Sequence, residues 1–173
     1  MGKGYRNNLA KQMAEHLVCA ELGRRELVAT PFSGNVPNYD VLVADGDGRA
    51  LPIQVKATRH ATWPSNALLW MDIELDARTG VQKYSGLKPL PTPDLIYVCV
   101  ALASTDNANR DRYFILTTGE LQLACERHYR NWMDSHGWRR PKKVDSFDLR
   151  YKIEDLADFE ENWELIARLL QKQ

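Results

Sequence analysis

The sequence predicts an α/β (α+β) fold in which helices flank a central mixed β-sheet. Three observations predict it. An apolar pattern at helical spacing occupies the N-terminal region, and β-rich runs separated by turn signals follow it. A nearly all-apolar run over residues 94–102 is typical of a strand buried on both faces. The predicted element order is α-β-β-β-β-β-α-α, in layers around one core.

The length and composition indicate one globular domain over residues 1–173, with a core at about 5–116 and C-terminal helices at about 118–171. No apolar run approaches the roughly 18 residues of a membrane span, so no membrane partner is expected. The three cysteines are widely spaced and odd in number, which favours reduced thiols and a cytoplasmic location.

The first helix is predicted over residues 7–25, because Leu9, Met13, Leu17 and Ala20 recur at helical spacing. Smaller apolar residues flank this stripe, namely Ala10, Ala14 and Val18.

The first strands follow from turn and β-propensity signals. Residues 26–30 form a short strand that ends before a proline, and residues 32–38 form a loop. Two β-rich runs flank the Asp-Gly-Asp-Gly turn at 45–48, which predicts a β-hairpin over 39–58. Alternation over residues 68–75 predicts a further strand.

The second half continues with a proline-containing loop at 76–93 and the buried strand at 94–102. A loop at 104–111 leads to an edge or near-edge strand at 112–116.

Two helices complete the chain. Thr117 or Thr118 caps a helix over about 120–135, which Gly137 ends. A last helix covers about 154–171. Its apolar face carries Leu156, Phe159, Trp163, Ile166 and Leu169.

The hairpin gathers polar side chains of complementary chemistry. Side chains of a strand alternate faces, so Gln54 and Lys56 share one face, opposite Ile53 and Val55. Folding about the turn brings Asp40 near Ile53 or Gln54, at the roughly 5 Å spacing of cross-strand Cβ atoms. An acid, an amide and an ammonium therefore meet on one patch.

Such a patch suits phosphodiester hydrolysis assisted by a divalent metal. Mg²⁺ prefers oxygen ligands, which Asp40, the Gln54 amide and the backbone carbonyl of Val55 supply. Lys56 orients or deprotonates water, or neutralises charge on the phosphate. The alternative is a solvated strand face carrying a weak ion pair.

The segment GNVPNYDVLVADGDGRALPIQVKAT resembles the signature of the PD-(D/E)XK nucleases: an acid at a strand start, a hairpin, and then (D/E/Q)-x-K. The preceding AEHLVCAELGRRELVAT resembles the helix of their restriction-endonuclease-like and Holliday-junction-resolvase-like branches. The likeness covers residues 5–58. Here Gln54 stands in place of the usual acid, a Q-x-K variant of the motif.

The resemblance implies a metal-dependent DNA endonuclease that uses Mg²⁺ or Mn²⁺. Glu15 on the first helix would join Asp40, Gln54 and the Val55 carbonyl around the metal, and Lys56 would act on water or phosphate. Glu21 is the rival of Glu15, because it falls nearer the middle of the predicted apolar stripe. Nucleases of this family often work as homodimers, and the last helix would either form that interface or cover the sheet.

Two features keep a second interpretation open, that of a nuclease-like fold which binds nucleic acid or protein without catalysis. Gln54 removes one negative charge, and the net charge of the chain is zero. A local basic stretch offers contacts to DNA phosphates, or else forms a solvated loop. It consists of Arg139, Arg140, Lys142 and Lys143.

Overall fold

The computed structural model describes residues 2–32, 38–103 and 110–172. Three α-helices lie in this part of the chain: α1 (Lys3–Gly23), α2 (Thr118–Asp134) and α3 (Glu164–Leu170). The strands are β1 (Val28–Pro31), β2 (Val41–Ala44), β3 (Ala50–Thr58), β4 (Thr62–Asn66), β5 (Met71–Leu75), β6 (Gln82–Leu87), β7 (Ile96–Ala101), β8 (Arg112–Thr117) and β9 (Asp148–Lys152). Parts of the predicted loops at 32–38 and 104–111 lie outside the described residues.

The central sheet has five strands in the order β1-β2-β3-β7-β8. Strands β3 and β7 pair in parallel, whereas the other neighbours pair antiparallel. The sheet is therefore mixed and flanked by helices, which confirms the predicted fold class. Strand β7 lies inside the sheet and is buried except at Tyr97, and β8 is an edge strand, as predicted.

The predicted hairpin is formed by β2 and β3, in register from Val41–Ile53 to Ala44–Ala50. The turn is held by Asp45, whose carboxylate accepts hydrogen bonds from the backbone N–H groups of Asp47 and Arg49, both at 3.0 Å. Because these contacts are local, the sequence alone was sufficient to predict the hairpin.

Helix α1 covers one face of the sheet through a stripe that differs from the predicted one. Leu9 and Met13 are 45% and 37% exposed. The buried stripe lies one residue further along the helix and consists of Ala10, Ala14, Val18 and Leu22. Small alanine side chains let the helix backbone approach the sheet closely, so packing favours them over the larger residues beside them.

The last predicted helix is broken. A 3₁₀ segment covers Ile153–Phe159, and α3 begins only at Glu164. Between them, the Glu160 carboxylate accepts two hydrogen bonds of 2.7 Å from Arg112 on β8, and Glu161 adopts a positive φ of 56°. This ion pair holds the chain against the sheet edge and interrupts the helix.

The apolar side chains of α3 belong to the domain core. Leu165, Ile166 and Leu170 are at most 3% exposed and lie in the cluster beneath α1. Of the two roles predicted for this helix, covering the sheet is the one observed.

Three strands were not predicted and lie over the opposite face of the sheet. Strand β4 pairs with β9, and β6 pairs with β5 inside the predicted 76–93 loop. The predicted 68–75 strand starts at Met71, after a 3₁₀ turn at Ala67–Leu69. Stacking of Trp63 on Tyr151, with ring centroids 5.5 Å apart, anchors the β4–β9 pair.

Helix α2 packs on this second face and begins with a capping box. The Thr117 hydroxyl accepts a hydrogen bond from Glu120 N, while the Glu120 carboxylate accepts one from Thr117 N. Thr117, rather than Thr118, is therefore the N-cap.

Candidate active site

Asp40 lies just before β2, at the point where the hairpin ladder ends. Its backbone N–H donates to the Ile53 carbonyl at 2.8 Å, and the ladder proper starts at Val41–Ile53. The backbone N–H of Val55, two residues beyond Ile53 on β3, has no strand residue of β2 opposite it. It donates a 2.9 Å hydrogen bond to the Asp40 carboxylate Oδ2 instead. The side chain is only 9% exposed.

Gln54 contacts the same carboxylate, since its side-chain Nε2 donates to Asp40 Oδ2. The structure thus brings together the acid and the amide of the predicted patch. The N–H and C=O of one strand residue point to the same side of the strand. The Val55 carbonyl therefore also faces the edge of β3 where Asp40 lies.

Glu15 reaches this site from α1 through an intervening ammonium. Lys11 Nζ lies 3.0 Å from Asp40 Oδ1 and 3.7 Å from Glu15 Oε1. Two carboxylates from different elements thus share one cation. Burial, and then the negative charge of Asp40, raise the pKa of Glu15, while the hydrogen bond to Asp40 is the main cause that raises the pKa of Lys11.

Lys11 was not predicted from the sequence. It precedes Glu15 by one helical turn, and both residues directly follow a buried alanine of α1. Lys11 lies beside the buried stripe of Ala10, Ala14, Val18 and Leu22, which differs from the stripe that the sequence predicts. The i,i+4 spacing to Glu15 was the one local signal that could have identified it.

Glu21 does not belong to this site. Its carboxylate pairs with Arg24 and, at 2.8 Å, with Arg25. Arg25 in turn lies over the Trp163 ring, 4.5 Å from its centroid. Glu21 therefore ties the C-terminal end of α1 to the start of α3, whereas Glu15 lies on the side of α1 near Asp40.

Lys56 projects from the same face of β3 as Gln54, and both side chains line a cleft of about 550 Å³. The Lys56 ammonium lies 6.0 Å from the centroid of the Tyr97 ring on β7. The backbone carbonyl of Lys56 accepts a 3.1 Å hydrogen bond from Trp63 Nε1, which holds this part of β3 in place. We call this space the aromatic cleft; its lining includes Gln54, Lys56, Leu69, Trp70, Thr92 and Tyr97.

The predicted basic stretch lies elsewhere, and its members differ in role. Arg140 donates to the Ser146 and Asp148 carbonyls at 3.2 and 2.9 Å and lies 4.8 Å from the Trp132 ring centroid, so it holds its own loop. Lys142 and Lys143 are exposed. Among the described lining residues of the aromatic cleft, none comes from the stretch Arg139, Arg140, Lys142 and Lys143.

Asp40 and Glu15 are the two carboxylates that could hold a divalent cation at this edge of β3. Among the described residues, no three His, Cys, Asp or Glu side chains cluster as a metal site. Mg²⁺ needs fewer protein carboxylates, because it retains waters and accepts neutral oxygens. The Lys11 ammonium lies between Asp40 and Glu15, so a divalent cation bound there would have to displace it.

Comparison of the chain with protein-family models, with curated proteins and with solved structures finds no match. Within the described ranges, no helix is both long and apolar enough to cross a membrane.

Proposed function

We propose that this protein is a metal-dependent DNA endonuclease of the PD-(D/E)XK type. One observation carries the proposal: the carboxylates of Asp40 and Glu15 lie on either side of the Lys11 ammonium at the edge of β3. Gln54, which contacts Asp40, also lines the cleft into which Lys56 projects. The proposal places the protein in the cytoplasm, with DNA as its partner, and includes a homodimer as the form that cuts two strands.

The residues that would hold Mg²⁺ or Mn²⁺ are Asp40 through Oδ1, Glu15, the Val55 carbonyl and Gln54. When bound, the metal would polarise a phosphoryl oxygen and acidify a water molecule. Asp40 Oδ2 keeps its hydrogen bonds to Val55 and Gln54, which orient the carboxylate.

Lys56 acts on the substrate side of the site. Its ammonium stands in the cleft beside Gln54, where it donates hydrogen bonds to a phosphate oxygen or orients the attacking water. A charge placed there in advance stabilises the negative charge that develops on the phosphate during hydrolysis.

Replacing Lys11 with methionine should tighten Mn²⁺ or Mg²⁺ binding by about tenfold, or about 1.4 kcal/mol. The reason is competition, because the Lys11 ammonium occupies the position between the two carboxylates. Isothermal titration calorimetry measures the affinity. Lys83→Met, which neutralises an exposed lysine on β6, serves as the control and should leave the affinity unchanged. Unchanged affinity in Lys11→Met would contradict a metal position between Asp40 and Glu15.

Replacing Gln54 with glutamate should have opposite effects with and without metal. In EDTA, the new carboxylate would face Asp40 in place of a hydrogen-bond donor, which should cost about 1–3 kcal/mol of unfolding free energy. With Mn²⁺ or Mg²⁺, an anionic oxygen attracts the cation more strongly than an amide does, so affinity should rise. Thermal denaturation and calorimetric titration measure both, with Gln171→Glu at an exposed position as control. If Gln54 were only a surface residue of the strand, Gln54→Glu would change the free energy of unfolding by only a few tenths of a kcal/mol, with or without metal.

The activity itself is tested by nicking of supercoiled plasmid in Mg²⁺, in Mn²⁺ and in EDTA, together with single-stranded and branched substrates. We expect cleavage that requires metal. Absence of cleavage on every substrate, with no calorimetric metal binding by the folded protein, would favour the second candidate, a nuclease-like fold that binds without catalysis. The engagement of both Asp40 oxygens by Lys11, Gln54 and Val55 is the observation that favours this candidate.

A further inference from the structure

The aromatic cleft lies next to the proposed hydrolytic site and shares Gln54 and Lys56 with it. Its volume of about 550 Å³ lies between the β3–β7 face, the 3₁₀ turn at Ala67–Leu69 and the segment around residues 90–95. This volume is within the roughly 300–1,000 Å³ range of ligand pockets in proteins. Because Gln54 and Lys56 line it, the cleft opens directly from the proposed site.

The lining favours a ligand that combines an apolar part with an anionic group. Four of the described lining residues carry aromatic rings. Tyr97 is half-buried, whereas Trp63, Trp70 and Tyr151 are at most 7% exposed, so Tyr97 is the ring that a ligand in the cleft can contact. Lys56 is the single charged residue among the described lining residues, and none of these carries a carboxylate. A cationic ligand would therefore meet repulsion, whereas a ligand with an anionic group beside Lys56 would be attracted.

The cleft also offers polar atoms for orientation. Ser65 Oγ accepts a 2.8 Å hydrogen bond from Trp70 Nε1, which leaves its own hydroxyl proton available to a ligand acceptor. Asn38 and Thr92, both exposed, stand at the lining as well. A few hydrogen-bonding groups on a mostly apolar wall are typical of a site that positions an aromatic ring.

Leu69 and Tyr97 lie where a nucleic-acid strand could reach the aromatic cleft from solvent. Leu69 is 64% exposed, an apolar side chain at the mouth of the cleft, and Tyr97 is half-buried beside the Lys56 ammonium. A phosphate held at Lys56 would have its attached nucleoside within reach of this mouth. Bases stack on aromatic side chains whatever their sequence, since every base has a π-face.

We propose that the aromatic cleft binds one unpaired nucleobase of the strand whose phosphate lies at Lys56. The preferred substrate class is then single-stranded or locally unpaired DNA, because a base inside a duplex must leave the stack to enter such a cleft. This inference rests on the proposed function, since it names the substrate of the same site.

The test compares binding of a fluorescein-labelled oligothymidylate single strand with binding of a blunt duplex of equal length. Fluorescence anisotropy is read in EDTA, so that neither metal nor cleavage is needed. Wild-type protein should bind the single strand more tightly. Tyr97→Leu should weaken this binding about fivefold or more, because base stacking on an aromatic side chain contributes roughly 1–3 kcal/mol per base. Leu69→Ser should also weaken it, because it removes an apolar contact at the cleft. Both variants should leave duplex binding unchanged.

Leu123→Ser is the matched control, since Leu123 is an exposed leucine on α2, 53% exposed, and does not appear among the described lining residues. Leu69→Ser keeps the test valid if Tyr97→Leu folds poorly, because Leu69 is exposed. Equal binding of both oligonucleotides, no binding of either, or an equal loss in Leu123→Ser would overturn the inference.

The same protein samples separate this inference from the proposed function. If the cleft variants weaken single-strand binding but the wild-type protein shows no metal-dependent cleavage, the base-binding inference stands and the proposed nuclease activity is wrong. If the cleft variants cleave single strands and duplexes at wild-type rates in the presence of metal, the proposed nuclease activity stands and the base-binding inference is wrong.

Discussion

Asp40→Ala and Asp40→Asn are expected to lower metal-dependent cleavage by at least about 100-fold, because a bound metal contributes several kcal/mol to the transition state. The Asp40 carboxylate contacts both the Lys11 ammonium and the Gln54 amide. The asparagine variant retains an oxygen that can accept the hydrogen bond from Val55 N, so it separates loss of charge from loss of structure. The rate of plasmid nicking and the calorimetric metal affinity should fall together.

Asp47→Asn is the matched control for this experiment. Asp47 belongs to the same hairpin, but its side chain is 78% exposed and pairs with Arg49. It should cleave at the wild-type rate. Full activity in Asp40→Asn would show that the cleavage comes from another site or another protein.

Lys56→Met is expected to lower cleavage by about 100-fold or more, the effect of removing one preorganised donor from the transition state. Unlike the Asp40 variants, it should bind metal as well as wild type or better, because it removes a nearby positive charge. Methionine retains an apolar stem beside Tyr97, so packing changes little. Nicking rates and metal titration together distinguish the two classes of variant.

Lys142→Met is the control for charge alone, because Lys142 is an exposed lysine of the basic stretch. It should leave nicking nearly unchanged. An equal loss of activity in both lysine variants would assign Lys56 to general DNA attraction rather than to the chemical step. Weaker metal binding in Lys56→Met would contradict its placement on the substrate side.

The residues around the hairpin show how far local patterns reach. Alternation placed Gln54 and Lys56 on one face, and the turn placed Asp40 near Ile53 or Gln54. Of these two alternatives, the structure shows the side-chain contact with Gln54. The strand at 94–102 was predicted because its residues are apolar on both faces, and β7 lies inside the sheet.

Weak or conflicting patterns gave the errors. Strand β4 contains Pro64, and β6 and β9 carry mostly polar residues, so their sequences resemble loops. They become strands because each pair covers the second face of the sheet with a few apolar side chains. The break in the last helix depends on Arg112, which is distant in sequence from its partner Glu160.

The sequence by itself determined the fold class, the hairpin and the acid–amide pair on it, since strand alternation and the turn act over a few neighbouring residues. Only the tertiary structure decided which charges of α1 join that pair. A shift of one residue turns a helix by about 100°, and the packing of Ala10 and Ala14 on the sheet set that rotation. This rotation directs Lys11 and Glu15 toward Asp40, leaves Glu21 to Arg25, and depends on contacts that no local pattern encodes.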